Sequence, residues 1–270
     1  MTHHSFAVTS FTTMNDAPHP DRYSRMKFGD DQAAREIGYE MANALFERHS
    51  DLLLANHVVV IPSPYNYVKN AATVVTQHMI DKLNELLVGA NGQHVEYSII
   101  HRKVSYINDY GFLPKAKREK LLSNDKFYVN KDFLVDKLLI FVDDIKITGT
   151  HEDKLKEILA REGMTNEVIF AYSAKYLGQS PEIEAQLNFA AVGTVADYLK
   201  ISAQPNHHLL VRPIKFLLKQ DPSIFRTYMT SIGWPAPELQ ALYYACLGEG
   251  YTQIPDYQTN INALKEYINR

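Results

Sequence analysis

Cysteine is almost absent from this sequence, which has only Cys246 among its 270 residues. One cysteine excludes an internal disulfide and fits a reducing compartment. The sequence also lacks the roughly 18 uninterrupted apolar residues that a membrane helix needs. Residues 1–20 are polar and lack the charged-then-apolar order of a signal peptide. We therefore expect a cytoplasmic protein without a membrane partner.

A strong excess of charge of one sign is missing as well. The formal net charge is −3, with 46% hydrophobic and 22% charged residues, which is ordinary for a globular protein. A chain with this balance gives no reason to expect nucleic-acid binding, because such binding needs an excess of Lys and Arg.

Several familiar motifs are also absent. The sequence contains no Gly-x-Gly-x-x-Gly or Walker loop and no Gly-x-Ser-x-Gly elbow. Its eleven histidines include no pair at the spacing of a zinc motif. We therefore expect no dedicated metal site built from protein ligands alone.

Strand-like and helix-like patterns alternate through the first two thirds of the chain. The predicted strands are residues 57–62, 94–101, 137–142 and 167–173. The predicted helices between and around them start at Asp31 and cover residues 68–88, 152–161 and 181–191. This alternation predicts crossover units and a mainly parallel sheet.

The two ends of the chain differ from this pattern. Residues 1–24 read as an irregular arm, because Pro18 and Pro20 oppose regular structure. Residues 192–201 are ambiguous. Beyond Pro205 the sequence predicts only helices, over residues 209–219, 222–232, 237–247 and 258–268. We expect this helical tail either to pack on the sheet domain or to form a homodimer face.

The most informative segment runs from Leu138 to His151 and reads Leu-Leu-Ile-Phe-Val-Asp-Asp-Ile-Lys-Ile-Thr-Gly-Thr-His. An apolar strand ends there in two adjacent carboxylates, Asp143 and Asp144, and a Thr/Gly loop leads into a helix. Carboxylates accept hydrogen bonds from sugar hydroxyls, while backbone N–H groups and Thr hydroxyls can surround a phosphate. The segment therefore predicts a site for a phosphorylated sugar.

Two further loops are expected at the same place. Ligands of parallel sheets bind at the carboxyl ends of the strands. The loops that follow Pro62 and His101 begin at such ends. We therefore expect three strand-end loops to converge on one site.

The segment from Leu138 to His151 resembles the phosphoribosyl pyrophosphate signature of the type I phosphoribosyltransferase family. The resemblance implies an α/β fold with a mainly parallel twisted sheet, an N-terminal hood and a helical C-terminal extension. From this resemblance we expect residues 1–204 to form the α/β domain, with residues 1–50 as its N-terminal arm and hood. Residues 205–270 would form the helical extension. Residues 23–30 are similar to a divergent branch found in bacterial stress-response gene clusters.

The resemblance also implies roles for particular residues. Asp143 and Asp144 would bind the ribose hydroxyls, directly or through magnesium. The residues implied in phosphate and pyrophosphate binding are Thr148, Gly149, Thr150 and His151 after the acidic strand, Ser63, Tyr65 and Asn66 after the first strand, and Arg102 and Lys103 after the second. Residues 106–132 would form a mobile lid.

Several departures from the family pattern matter, among them His151, where many members end the loop with Thr or Ala. Purine-salvage members carry an Asp where this chain has Ile147, and Pro64 removes one backbone donor from the pyrophosphate loop. Glu152 and Asp153 would repel a phosphate if they faced it, so we expect both to face solvent. The absence of that Asp argues against a standard hypoxanthine or guanine enzyme, while Pro64 and the two acids count against the pyrophosphate and phosphate readings.

The resemblance implies transfer of a 5-phosphoribosyl group from phosphoribosyl pyrophosphate to a nitrogen nucleophile such as a nucleobase, with Mg²⁺. Its expected partners are therefore phosphoribosyl pyrophosphate and a small-molecule acceptor. A second reading is a non-catalytic sensor of the same ligand. A third is a magnesium-dependent phosphotransfer domain with Asp143 as acceptor and Lys175 as its cation.

Overall fold

A computed structural model describes residues 2–102, 127–231 and 236–269. The strands in this part of the chain are β1 (His3–Phe11), β2 (Val58–Pro62), β3 (Glu96–Tyr97), β4 (His101–Arg102), β5 (Phe127–Tyr128), β6 (Leu138–Lys146) and β7 (Val168–Tyr176). Five of them form one sheet in the order β1-β7-β6-β2-β3, and every pairing in it is parallel. The short strands β4 and β5 form a separate antiparallel pair. The predicted α/β class and parallel sheet are confirmed.

Helices precede, connect and follow these strands. Those of the first two thirds are α1 (Pro20–Lys27), α2 (Asp31–Ala55), α3 (Ala71–Gly89), α4 (Lys131–Leu134), α5 (Thr150–Arg161) and α6 (Ile183–Asn188). Those that follow are α7 (Val195–Ser202), α8 (Val211–Leu218), α9 (Pro222–Ser231), α10 (Ala236–Gly248), a 3₁₀ turn (Tyr251–Gln253) and α11 (Pro255–Ile268). No described helix is both long enough and apolar enough to cross a membrane.

The sheet has an apolar core on each face. Successive side chains of a strand point to opposite faces, so Val58 and Val60 pack with α2 and α3, while Val59 and Ile61 pack with α5. All five residues of β2 are buried. Covering both faces is the usual requirement of a parallel sheet, and it explains why β2 reads as a continuous β-branched run.

The N-terminal residues correct one expectation. The prediction of an irregular arm over residues 1–24 is wrong, because β1 forms an edge strand in register from His3 with Val168 to Phe11 with Tyr176. Phe6 and Phe11 are buried and anchor it. Pro20 begins α1 instead of breaking it, since a helix tolerates proline in its first turn.

Three other boundaries differ from the sequence expectation. Strand β6 does not end at Val142 but continues to Lys146, so the two acids lie within the strand. The strand predicted over residues 94–101 is shorter, because β3 covers only Glu96–Tyr97. The ambiguous residues 192–201 include the start of α7, where Thr194 and Asp197 form a reciprocal capping box.

The helical tail packs on the sheet domain. Its own apolar core includes Phe28 and Val68 from the earlier part of the chain. The buried carboxylate of Glu249 accepts hydrogen bonds from the N–H groups of Tyr67 (2.8 Å) and Val68 (2.7 Å). Of the two arrangements expected for the tail, packing on the sheet domain is therefore present. The homodimer and the boundary at residue 204 stay predictions.

Asp31 connects three parts of the fold. Its Oδ1 accepts hydrogen bonds from Nε2 of His78 on α3 and Nε2 of His208 in the tail, both at 2.8 Å. Partial burial alone would raise the pKa of Asp31, but the hydrogen bonds from His208 and His78 outweigh it and lower that pKa.

We expect Asp31→Asn to destabilise the protein in a pH-dependent way. A carboxyl with a lowered folded-state pKa contributes stability above its unfolded pKa of about 3.9 and loses it as pH falls through the folded value. The difference in free energy of unfolding between wild type and variant should be full at pH 6–7 and shrink below about pH 4. Urea denaturation across this range measures it.

The matched control is Asp256→Asn, which removes an exposed carboxylate from the first turn of α11. Like Asp31→Asn, this substitution removes one negative charge near a helix N-terminus, but it does not remove a pair of hydrogen bonds from histidines. An equal effect of the two substitutions at every pH would contradict a specific role of the His78 and His208 contacts.

Candidate functional site

A cavity of about 230 Å³ opens at the carboxyl edge of the parallel sheet. It is lined by residues from the loop after β2, from β6 and β7, from the loop after β6, from the starts of α3 and α5, and from α1, α6 and α8. The predicted acidic pair and the predicted phosphate loop face the same space as the loop after the first predicted strand. Two of the three expected loops therefore converge within the described residues.

The two acids of β6 are not equivalent. The side chain of Asp143 is 21% exposed and lines the cavity, whereas that of Asp144 is 8% exposed. The Asp144 carboxylate forms an ion pair with Lys27 and accepts a hydrogen bond of 3.4 Å from the hydroxyl of Tyr23. Both partners come from α1, so this helix neutralises Asp144, and Asp143 is the more exposed of the two acids that line the cavity.

The environments of the acids move their pKa values in opposite directions. Burial raises the pKa of Asp144, although the positive charge of Lys27 opposes this. Burial also acts to raise the pKa of Asp143, but the hydrogen bond and charge of His151, with Nδ1 at 3.3 Å, outweigh it and lower that pKa. Asp143 is therefore ionised at neutral pH and can bind a cation or a sugar hydroxyl.

The loop after β6 has the backbone of an anion-binding turn. Gly149 has φ 75° and ψ 0°, in the left-handed region that favours glycine, and it immediately precedes α5. The hydroxyl oxygens of Thr148 and Thr150 lie 2.8 Å apart. The first N–H groups of this twelve-residue helix have no partner within the helix, and its dipole favours an anion there. All residues from Ile147 to Glu152 line the cavity.

The prediction that Glu152 faces solvent is wrong, because this residue is buried. Its carboxylate forms an ion pair with Lys146 and accepts hydrogen bonds from Lys156 (2.6 Å) and the hydroxyl of Tyr172 (2.9 Å). These partners neutralise the acid that would otherwise repel a phosphate at the start of α5.

The loop after β2 contributes one of its three predicted residues to the cavity. Ser63 lines it, and its N–H donates to the carbonyl of Val142 at 2.8 Å. Asn70 supports this loop by donating to the Ser63 carbonyl at 3.0 Å and capping α3. Tyr65 instead forms an isolated parallel β-bridge with His101. The side-chain amide of Asn66 donates a hydrogen bond to the Gly248 carbonyl at 3.2 Å.

Other predicted residues are placed as follows. Thr148, Gly149, Thr150 and His151 all line the cavity. Arg102 belongs to β4, while Lys103 and most of the predicted lid over residues 106–132 lie outside the described residues. Lys175, the cation of the phosphotransfer reading, is an exposed residue of β7 and does not line the cavity.

Among the cavity residues that the sequence reasoning missed are Asn70 and three charged residues of helices, Glu184, Arg212 and Lys215. Asn70 could have been found as the cap of the helix that follows it. The other three occupy ordinary positions of amphipathic helices, where a charged residue gives no sign of what it faces.

A magnesium ion in this cavity would need ligands from a bound phosphate as well as from the protein. Among the described residues, no group of three His, Cys, Asp or Glu side chains could hold a metal alone. Mg²⁺ binds through one or two carboxylates together with substrate phosphates. The ionised, partly exposed Asp143 offers one such carboxylate.

Comparison with known proteins assigns the chain to a family. Residues 4–264 match a family described as "PRTase ComF-like". Two solved structures of a hypoxanthine phosphoribosyltransferase from Staphylococcus aureus are similar to the chain. The tetragonal form has 11% identity over 52% of this chain and 73% of that chain, with a TM-score of 0.35. The orthorhombic form has 12% identity over 52% and 74%, with a TM-score of 0.32. No curated protein matches significantly.

We expect Lys27→Met to destabilise the protein, because it leaves the buried Asp144 without its cation. Removing one partner of a buried ion pair costs about 3–5 kcal/mol. Adding Asp144→Asn to the Lys27→Met variant should recover most of that loss, since no buried charge then remains. Chemical denaturation at pH 7 of the single and double variants measures the coupling. A double variant that is less stable than Lys27→Met would contradict it.

Proposed function

We propose that this chain, which belongs to the ComF-like phosphoribosyltransferase family, binds 5-phosphoribosyl pyrophosphate in the cavity at the carboxyl edge of its sheet. With magnesium, it transfers the 5-phosphoribosyl group to a nitrogen nucleophile such as a nucleobase. The observation that carries this proposal is that Asp143 and the left-handed Gly149 loop line the same cavity.

The 5-phosphate would bind at the loop after β6. Here the first N–H groups of α5 and the hydroxyls of Thr148 and Thr150 supply donors, and Gly149 lets the backbone approach the anion. Glu152 does not oppose this binding, because its charge is compensated by Lys146 and Lys156.

The ribose would bind at Asp143. Its ionised carboxylate would accept hydrogen bonds from the ribose hydroxyls and would hold magnesium, which when bound would offset negative charge on the pyrophosphate. In the reaction, the new C–N bond forms as the bond from the anomeric carbon to the pyrophosphate oxygen breaks. Positive charge develops at that carbon, and a nearby carboxylate stabilises it.

A second function, sensing of the same ligand without transfer, is favoured by one observation. Lys27 and Tyr23 hold Asp144, so Asp143 is the more accessible of the two acids that line the cavity. Calorimetry with phosphoribosyl pyrophosphate and Mg²⁺, followed by a pyrophosphate-release screen over nucleobases, separates the two. Binding with turnover supports the enzyme, and binding without turnover supports the sensor.

We expect Gly149→Ala to weaken the binding of ribose 5-phosphate by about tenfold or more, because charge-assisted hydrogen bonds are worth about 1.5–3 kcal/mol each. A side chain at φ 75° is strained and displaces the loop from the anion. Isothermal titration calorimetry measures the affinity.

The control for Gly149→Ala is Gly163→Ala. Gly163 has φ 69°, a Cβ there would meet nothing within 4 Å, and it does not line the cavity. Both variants should lose about 1–2 kcal/mol from left-handed strain, but Gly163→Ala should bind as wild type does. Equal affinities in the two variants would show that the Gly149 loop holds no phosphate.

We expect Asp143→Asn to weaken the binding of phosphoribosyl pyrophosphate with Mg²⁺ by about tenfold, since it removes a charged acceptor worth about 1.5–3 kcal/mol. Asp153→Asn, at an exposed position of α5, is the matched control. The affinity of Asp143→Asn for ribose 5-phosphate without Mg²⁺ should fall less. If the variant binds both ligands with wild-type affinity, Asp143 is not part of the binding site.

A further inference from the structure

Two cations of the helical tail reach the cavity. Arg212 and Lys215 belong to α8 and line the cavity. They are three residues apart, so they lie on the same face of the helix. Both are partly exposed. Neither has a role in the ribose and 5-phosphate binding described above.

The start of α8 lies beside the loop that follows β2. The N–H of Val211 donates to the carbonyl of Lys69 at 3.3 Å. The next residue, Asn70, lines the cavity and donates to the carbonyl of Ser63, which also lines it. Arg212 and Lys215 therefore enter the cavity on the side of the β2 loop.

This side lies next to the Gly149 loop. Strands β2 and β6 are direct neighbours, and adjacent strands lie about 4.8 Å apart. The loops that follow them can therefore be bridged by one small sugar that carries an anionic group at each end. An anion held by the Gly149 loop would place the second anion of such a ligand near α8.

The cations of α8 are held in position by aromatic rings. The guanidinium carbon of Arg212 lies 5.8 Å from the centroid of the Phe189 ring, and Nζ of Lys215 lies 5.8 Å from that of Tyr251. Cation–π attraction acts at such distances. Phe189 and Tyr251 also belong to the apolar core of the tail or pack against it. The position of both cations therefore depends on the packing of the tail.

The remaining cavity lysines are compensated by buried acids. Lys27 pairs with Asp144, and Lys146 pairs with Glu152. The positive charge that these two lysines offer a ligand is correspondingly reduced. Arg212 and Lys215 add positive charge from α8, on the side of the β2 loop, and the carboxylate of Glu184 on α6 lines the same cavity.

We propose that Arg212 and Lys215 bind the pyrophosphate group of the sugar substrate and stabilise it as it leaves. This inference rests on the proposed function, and it gives the helical tail a direct part in the site. A guanidinium binds phosphate oxygens in a bidentate manner, while an ammonium acts as a point charge. Together they oppose the negative charge that gathers on the leaving oxygen.

The experiment compares two ligands, inorganic pyrophosphate and ribose 5-phosphate, each titrated with Mg²⁺ by calorimetry. The variants are Arg212→Gln, Lys215→Gln and their combination. The control is Lys219→Gln, which makes the same charge change at an exposed position one residue after α8 that does not line the cavity. Melting temperatures of all variants are measured alongside.

The double variant should lose about tenfold or more in pyrophosphate affinity, as expected when charge-assisted hydrogen bonds are removed. Its affinity for ribose 5-phosphate should stay within about twofold of wild type, a difference below about 0.5 kcal/mol. Lys219→Gln should bind both ligands normally. Added salt should weaken pyrophosphate binding more steeply in wild type than in the double variant, because screening acts on the removed charges.

A conservative variant separates charge from packing. Arg212→Lys keeps the positive charge and should retain more pyrophosphate affinity than Arg212→Gln. If the wild-type protein binds ribose 5-phosphate and the double variant binds pyrophosphate as tightly as wild type does, this inference is wrong and the proposed function is unaffected. Wild-type protein that binds neither ligand overturns the proposed function and this inference with it.

Discussion

The early end of β2 beside a longer β6 shapes the site. Strand β2 is in register with β6 only as far as Pro62 opposite Val142, and the N–H of Ser63 makes a further bond to the Val142 carbonyl. Strand β6 continues to Lys146 with β7 as its partner. The acids therefore lie on a stretch of strand with an open side, and the cavity occupies that side. A rigid strand holds Asp143 more firmly than a loop would.

Compensation of buried charge decides which groups face a ligand. Asp144 and Glu152 are buried acids, and each has a lysine partner that also lines the cavity. Buried ion pairs contribute little net stability, because desolvation offsets their attraction. Their effect here is to determine which carboxylate of the cavity can bind a ligand. With two acids neutralised, Asp143 is the carboxylate of the β6 pair that remains open, and its pKa is lowered.

The sequence located the centre of the site because that centre is local. An apolar strand, two acids and a Gly turn before a helix lie within fourteen consecutive residues, and each follows from short-range rules of strand burial and helix N-termini. The partners of those residues are distant. Lys27 lies 117 residues from Asp144 along the chain. Strand β1 was missed because Pro18 and Pro20, which lie beyond it, were taken to oppose regular structure throughout residues 1–24, and because its partner β7 is distant in the sequence. Lys156 is the i+4 neighbour of Glu152 on α5, but Glu152 was misplaced because its contacts with Lys146 and Tyr172 become visible only in three dimensions.

The tail and the sheet domain together build the cavity, so its assembly depends on their docking. Glu249 holds the backbone of Tyr67 and Val68, while Val211 bonds to Lys69. Both contacts reach the same short segment between β2 and α3, which also carries Ser63 at its start. A shift of the tail would therefore move one wall of the cavity while leaving Asp143 and the Gly149 loop in place. A ligand that spans both walls binds only the docked arrangement, and by mass action it must stabilise that docking.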